Sequence, residues 1–156
     1  MQARQTIRTL NRLIRSCRSA EALCQACART HGAQQLRTVL RHRGEEWGRY
    51  GDELQALVLM LGGEPATGSP VGVWARRMWL LGKGLLLGAT EAVVLDEWRF
   101  MQQRVLSRYE EAISGYLARR IRHTVTVQSA RILQRLEQIE SLRQEYSVAS
   151  PSASRV

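Results

Sequence analysis

The side chains in this sequence best suited to chemistry are its three cysteines, its three histidines and a set of carboxylates and arginines at mid-helix positions. Cys24 and Cys27 have the C-x-x-C spacing of a zinc knuckle or a redox dithiol. They have no second cysteine pair, and with Cys17 they sit inside a helical pattern, so all three read as small core residues. His31, His42 and His123 are scattered at helix ends or beside a seam, and no Glu-x-x-His occurs. A di-iron centre in a helical bundle takes about four carboxylates and that histidine motif. No Ser, His and Asp set has usable spacing. Gly82, Gly84 and Gly88 lack the lysine and hydroxyl of a phosphate loop. These residues point to no catalytic group and no cofactor, so a non-catalytic protein is expected, with a metal-binding or redox bundle as the alternative.

Charge is the next signal. The formal net charge is +9, and Lys83 is the single lysine among 23 basic side chains. Arg4, Arg8, Arg12, Arg15 and Arg18 form a stripe on the outer side of the first helical pattern with no acidic residue among them. Arg119, Arg120 and Arg122 make a second cluster. Such a surface favours polyanions. Without a recognition motif or interleaved aromatics, nucleic-acid binding is expected to be weak, non-specific and steeply salt-dependent.

The elements that must position these residues are four long helices. The second, from about residue 35 to 61, carries the clearest seam: Leu36, Leu40, Arg43, Trp47, Tyr50, Leu54, Leu57 and Leu61, in alternating steps of four and three. The first runs over about 5–30, with Ile7, Leu10, Ile14, Cys17, Glu21, Cys24 and Ala28 inward. The third runs over about 89–117, with Ala92, Leu95, Arg99, Gln102, Leu106, Tyr109, Ile113 and Tyr116 inward. The fourth runs over about 121–146, with Val125, Gln128, Ile132, Arg135, Ile139, Leu142 and Tyr146 inward. Glu45, Glu46 and Arg49 read as a solvated face. Glu21, Arg43, Arg99, Gln102 and Arg135 all fall near mid-helix, so they are expected to form one polar core layer. In it Glu21 pairs with Arg99, or next with Arg43 or Arg135. An arginine fork satisfies a carboxylate as a metal would, and its own positive charge repels the metal.

A Gly/Pro-rich linker after Gly62 and a short helix over about 70–81 separate the second and third helices, too long a connection for a hairpin. The fold class is therefore an all-α four-helix bundle with a long crossover. Trp74, Trp79, Leu81 and Leu85 give the crossover more apolar surface than a short helix hides, which predicts self-association, a dimer first; an unidentified protein partner is the other use of such a surface. The bundle domain spans 1–146 and a Ser/Ala/Pro tail 147–156. No signal peptide or clean membrane span is read, and with thiols kept reduced the expected location is cytoplasmic.

A resemblance agrees with this architecture. Leu10-Asn11-Arg12-Leu13-Ile14 with Cys17 and Glu21, then Glu53-Leu54, Leu61-Gly62-Gly63-Glu64-Pro65, Gly68-Ser69, Gly72, Leu95, Glu97, Tyr109, Glu111-Ala112, Gln128, Ile139 and Leu142-Arg143 follow in order. The chain thereby resembles the PA2169-type family of ferritin-like four-helix-bundle proteins (DUF2383), a domain of unknown function. The resemblance implies a ferritin-like fold and a bacterial origin, and no defined reaction. Glu21 and Glu97 match inward carboxylates of the family and are the weak candidates for metal ligands. Gln102, Arg99, Leu136 and Arg131 stand where acidic residues, a neutral residue or a histidine are usual. The departures remove ligands or add cations, so the metal layer reads as degenerate.

Overall fold

The computed structural model describes residues 1–30, 34–67 and 91–148. They form four α-helices: α1 (Gln2–Thr30), α2 (Gln34–Met60), α3 (Glu91–Ser114) and α4 (Arg119–Val148). No strand occurs among the described residues. The short helix expected in the crossover, with Trp74, Trp79, Leu81 and Leu85, lies outside the described residues, as does His31.

Residue pairs fix the topology. Asn11 meets residues 64–66 and Arg18 meets Asp52, so α1 and α2 are antiparallel. Asp96 meets Arg143 and Tyr109 meets Gln128, so α3 and α4 are antiparallel. Arg12 faces Glu111 and Ser16 faces Arg108, which sets α3 antiparallel to α1 and parallel to α2. Two hairpins thus dock into a bundle. α2 ends where α1 begins, and α3 starts at the opposite end.

α2 stops for a local reason. Gly62 has φ of 72°, a conformation that a Cβ disfavours. Its N–H reaches the Leu59 carbonyl at 3.0 Å, while the Gly63 N–H reaches Val58 at 3.0 Å. That is a Schellman ending. The chain beyond is held to α1 by one side chain. Asn11 Nδ2 donates to the Glu64 carbonyl at 3.0 Å, and the Ala66 N–H donates to Asn11 Oδ1 at 2.8 Å. At the other turn, Arg122 donates to the carbonyls of Ile113 (2.6 Å) and Gly115 (2.9 Å), capping the C-terminus of α3.

The core runs the length of the bundle, with Leu10, Ile14, Leu40, Leu54, Leu95, Trp98, Ile132 and Ile139 almost wholly inaccessible. α1 and α2 approach closely along Gly44, Gly48 and Gly51. A Cβ built at Gly44 would lie 3.4 Å from the Cys24 Cβ. On α3 the buried residues are Val94, Leu95, Trp98, Met101, Gln102, Val105, Tyr109 and Ala112. They share Leu95, Gln102 and Tyr109 with the expected seam. Trp98, Val105 and Ala112 are buried, while Arg99, Leu106 and Ile113, expected inward, are only partly buried.

Candidate functional site

Among the described residues the interior holds two polar networks, and each is built across helices. The first centres on Glu46 of α2, whose side chain is only 11% exposed. Arg43, one turn earlier, donates from Nη1 to Oε2 at 2.8 Å. Tyr50, one turn later, donates its hydroxyl to Oε1 at 2.7 Å. Arg135 reaches in from α4, its Nε 3.2 Å from Oε2 and 3.3 Å from Oε1. Gln138 Oε1 receives the outer N–H groups of both arginines, from Arg43 Nη2 at 2.7 Å and Arg135 Nη1 at 3.0 Å. Burial pushes the Glu46 carboxyl up. The Tyr50 and Arg43 hydrogen bonds and the two guanidinium charges outweigh it, and the group is held below the ordinary carboxylate range.

Gln102 of α3 is 1% exposed, and its Oε1 has no hydrogen-bond partner among the described residues. It lines, with Arg43, Glu46, Tyr50 and Arg135, a void of about 10 Å³. That is about the space of one water. The layer is filled by guanidinium groups and leaves no substrate-sized opening.

The second network links all four helices. Glu53 on α2 can only accept, so Gln128 on α4 must turn its Nε2 toward it, at 2.7 Å. Gln128 Oε1 then faces Tyr109 on α3 and accepts its hydroxyl at 2.7 Å. With its proton committed, the Tyr109 oxygen accepts from the Cys17 thiol on α1 at 3.2 Å. Burial above all, then the Cys17 thiol, raises the Tyr109 phenol well above its ordinary value, so it remains a neutral donor.

The expected partner of Glu21 is not its partner here. Glu21 lies at the flank of the α1–α2 hairpin with 26% of its side chain exposed. It fits over Gly48, whose added Cβ would come 2.9 Å from Glu21 Oε1. Arg18 holds it from one turn away at 3.3 Å, and also donates to Asp52 (2.7 Å), Gln55 (3.3 Å) and the Gly48 carbonyl (3.3 Å). Arg99 instead pairs with Glu140 at 3.1 Å, beside the Arg143–Asp96 pair at 2.6 Å. The reason is rotational: tight α1–α2 packing at the glycines turns residue 21 out of the bundle axis. Arg18 likewise leaves the outer stripe, and Glu46 leaves the solvated face. Glu21→Ala therefore costs about 1 kcal/mol or less, as partly exposed ion pairs do. A melting temperature lowered by ten degrees or more would contradict this placement.

The cysteines are closed to reagents. Burial pushes the Cys17 and Cys27 thiols up to about 12 and the Cys24 thiol up further. Thiolate is the reactive form. An aromatic disulfide reagent at pH 8 should label none of the three in the native chain and all three after denaturation. Rapid labelling of one in the native state would contradict the burial. Among the described residues no group of three or more His, Cys, Asp or Glu side chains stands together as a metal site. His42 faces Glu45 on the surface at 3.7 Å.

Of the basic surface, Arg4, Arg8, Arg12, Arg15, Arg119 and Arg120 are exposed, while Arg122 is occupied as the α3 cap. No helix among the described residues is long and apolar enough to cross a membrane.

These features define an all-helical four-helix bundle whose interior is knitted by arginine–carboxylate and amide–hydroxyl contacts. Residues 5–115 match the model of a family described as a domain of unknown function (DUF2383), and the chain belongs to that family. The match ends before α4, which supplies Arg135, Gln138 and Gln128 to the two networks. No curated protein matches the chain.

Proposed function

We propose that this protein is a non-catalytic ferritin-like bundle of the PA2169 type, in which arginine has taken the place of a metal layer and which acts through its surfaces. The observation that carries this reading is the Glu46 cluster. Two guanidinium groups and a phenol satisfy a buried carboxylate at mid-bundle, where a cation would otherwise be required. Arginine offers no lone pair to a metal and repels one. In this reading residues 1–146 form the working domain, 147–156 are a tail, the protein is cytoplasmic, and it self-associates or engages a protein partner through the crossover.

The test is a melting curve of untagged, chelator-treated protein with and without iron or manganese, together with elemental analysis of the protein as purified. Unchanged melting and substoichiometric metal are expected. A tightly held stoichiometric metal overturns the reading. Sedimentation at micromolar concentration should show a dimer; monomer alone would remove the self-association part.

A further inference from the structure

A groove of about 700 Å³ lies between the first half of α1 and the end of α3, far from neither helix's surface and outside both polar networks. Its size falls in the range of small-molecule sites, about 300–1,000 Å³. Arg8, Arg12 and Arg15 line one wall, and Arg108, Glu111 and Tyr116 line the other. We propose that this groove binds a nucleoside polyphosphate, its phosphates on the arginines and its base on Tyr116.

The cationic side is both unneutralised and partly preorganised. Arg8 and Arg15 have no carboxylate partner among the described residues. Arg12 meets Glu111 only at 3.8 Å, with both side chains well exposed. Such a pair opens at little cost. Arg108 is different. Its Nη1 donates to the buried Ser16 hydroxyl at 2.7 Å, and Ser16 in turn donates to the Arg12 carbonyl at 3.1 Å. The guanidinium is held in place while its other N–H groups stay available, and an arginine fork fits phosphate oxygens two at a time. The steps from Arg8 to Arg12 to Arg15 set three more guanidiniums along about 10 Å of one helix face, enough for a run of phosphates.

The other two residues select the class of anion. Tyr116, expected on the inward seam, lies past the end of α3 and is 63% exposed, where a base could stack. Glu111 would repel a bare polyphosphate but accepts hydrogen bonds from an amino group or a ribose hydroxyl. A polyphosphate joined to a neutral, planar, hydrogen-bonding group satisfies both. The site shares no residue with the Glu46 cluster, so its test is independent of the metal-free reading.

The experiment is calorimetric titration of the full chain with ATP, tripolyphosphate, AMP and a series of single-stranded oligonucleotides of increasing length. One saturable site for ATP is expected, with tripolyphosphate and AMP each weaker. Arg8→Ala with Arg15→Ala, both exposed, should leave unliganded melting unchanged and weaken ATP by about tenfold or more, as loss of charge-assisted contacts does. Tyr116→Ala should weaken ATP by about fivefold or more, the usual worth of a base–aromatic stack, and leave tripolyphosphate unaffected. Three results overturn the proposal: no saturation by ATP, tripolyphosphate binding as tightly as ATP, or affinity that climbs with oligonucleotide length. The last would assign the groove to an extended nucleic-acid surface.

Discussion

Glu46→Ala should be among the most damaging single substitutions in the described part of the chain. It leaves Arg43 and Arg135 facing each other across α2 and α4 with no carboxylate between them. Removing one member of a buried ionic cluster costs about 3–5 kcal/mol. In a chain of this size that lowers the melting temperature by about 10 °C, at roughly 2–4 °C per kcal/mol. The effect also has a pH signature. The folded carboxyl lies below its ordinary value of 4.5. Its contribution is therefore complete above that value and is lost as pH falls through the folded pKa. Native protein should lose stability on acidification below about pH 4.5, and the Glu46→Ala protein should lose less over the same interval. Replacing Glu46, Arg43 and Arg135 together by leucine should recover much of the loss, because no charge is then stranded. A triple variant no more stable than Glu46→Ala, or a single variant that melts like the parent, would refute this account of the cluster.

Tyr109 carries the second large effect. Tyr109→Ala empties a fully buried aromatic site and should cost about 3–5 kcal/mol. The informative variant is Tyr109→Phe, which keeps the ring and removes the proton that Gln128 Oε1 accepts. A buried amide oxygen left unpaired costs about 1–3 kcal/mol. Adding Gln128→Leu to Tyr109→Phe should then cost less than the sum of the two single changes, since the second change removes the orphaned atom. Strict additivity in chemical denaturation would mean that Tyr109 and Gln128 do not act as a pair.

The four helices were legible because long apolar periodicity survives any detail of packing, and Gly62-Gly63 marked the end of α2 by backbone conformation alone. Rotation about each helix axis was not legible. On α3 the residues 95, 102 and 109 belong equally to a seam that runs 95, 98, 102 and to one that runs 95, 99, 102. Neighbouring helices choose between them, and they chose Trp98 over Arg99. Glu46 was missed for a related reason. A heptad seam through Arg43, Trp47 and Tyr50 assumes one buried face, whereas α2 is covered on two sides, by α1 and by α4. Gly44, Gly48 and Gly51 were the available signal. Three small residues on one side of a helix announce the close approach of α1 there; the seam then lies between that neighbour and α4, which covers residue 46 on the opposite edge. Gln102, Arg43 and Arg135 do share one small void, but the carboxylate among them comes from α2, and Glu21 has gone to the hairpin flank.

Docking two helical hairpins through greasy faces alone leaves their alignment loosely determined, because one leucine-sized bump fits several hollows. Here the seam between the hairpins is crossed by directional contacts: Arg135 to Glu46, Gln128 to Glu53, and Cys17 to Tyr109. Sliding one hairpin by a single turn, about 5.4 Å, would part every donor from its acceptor at once. The three contacts act like pegs in a keyed joint. They need add little to the depth of the native well to exclude the shifted arrangements beside it, so the chain has one way to close where apolar packing by itself would allow several.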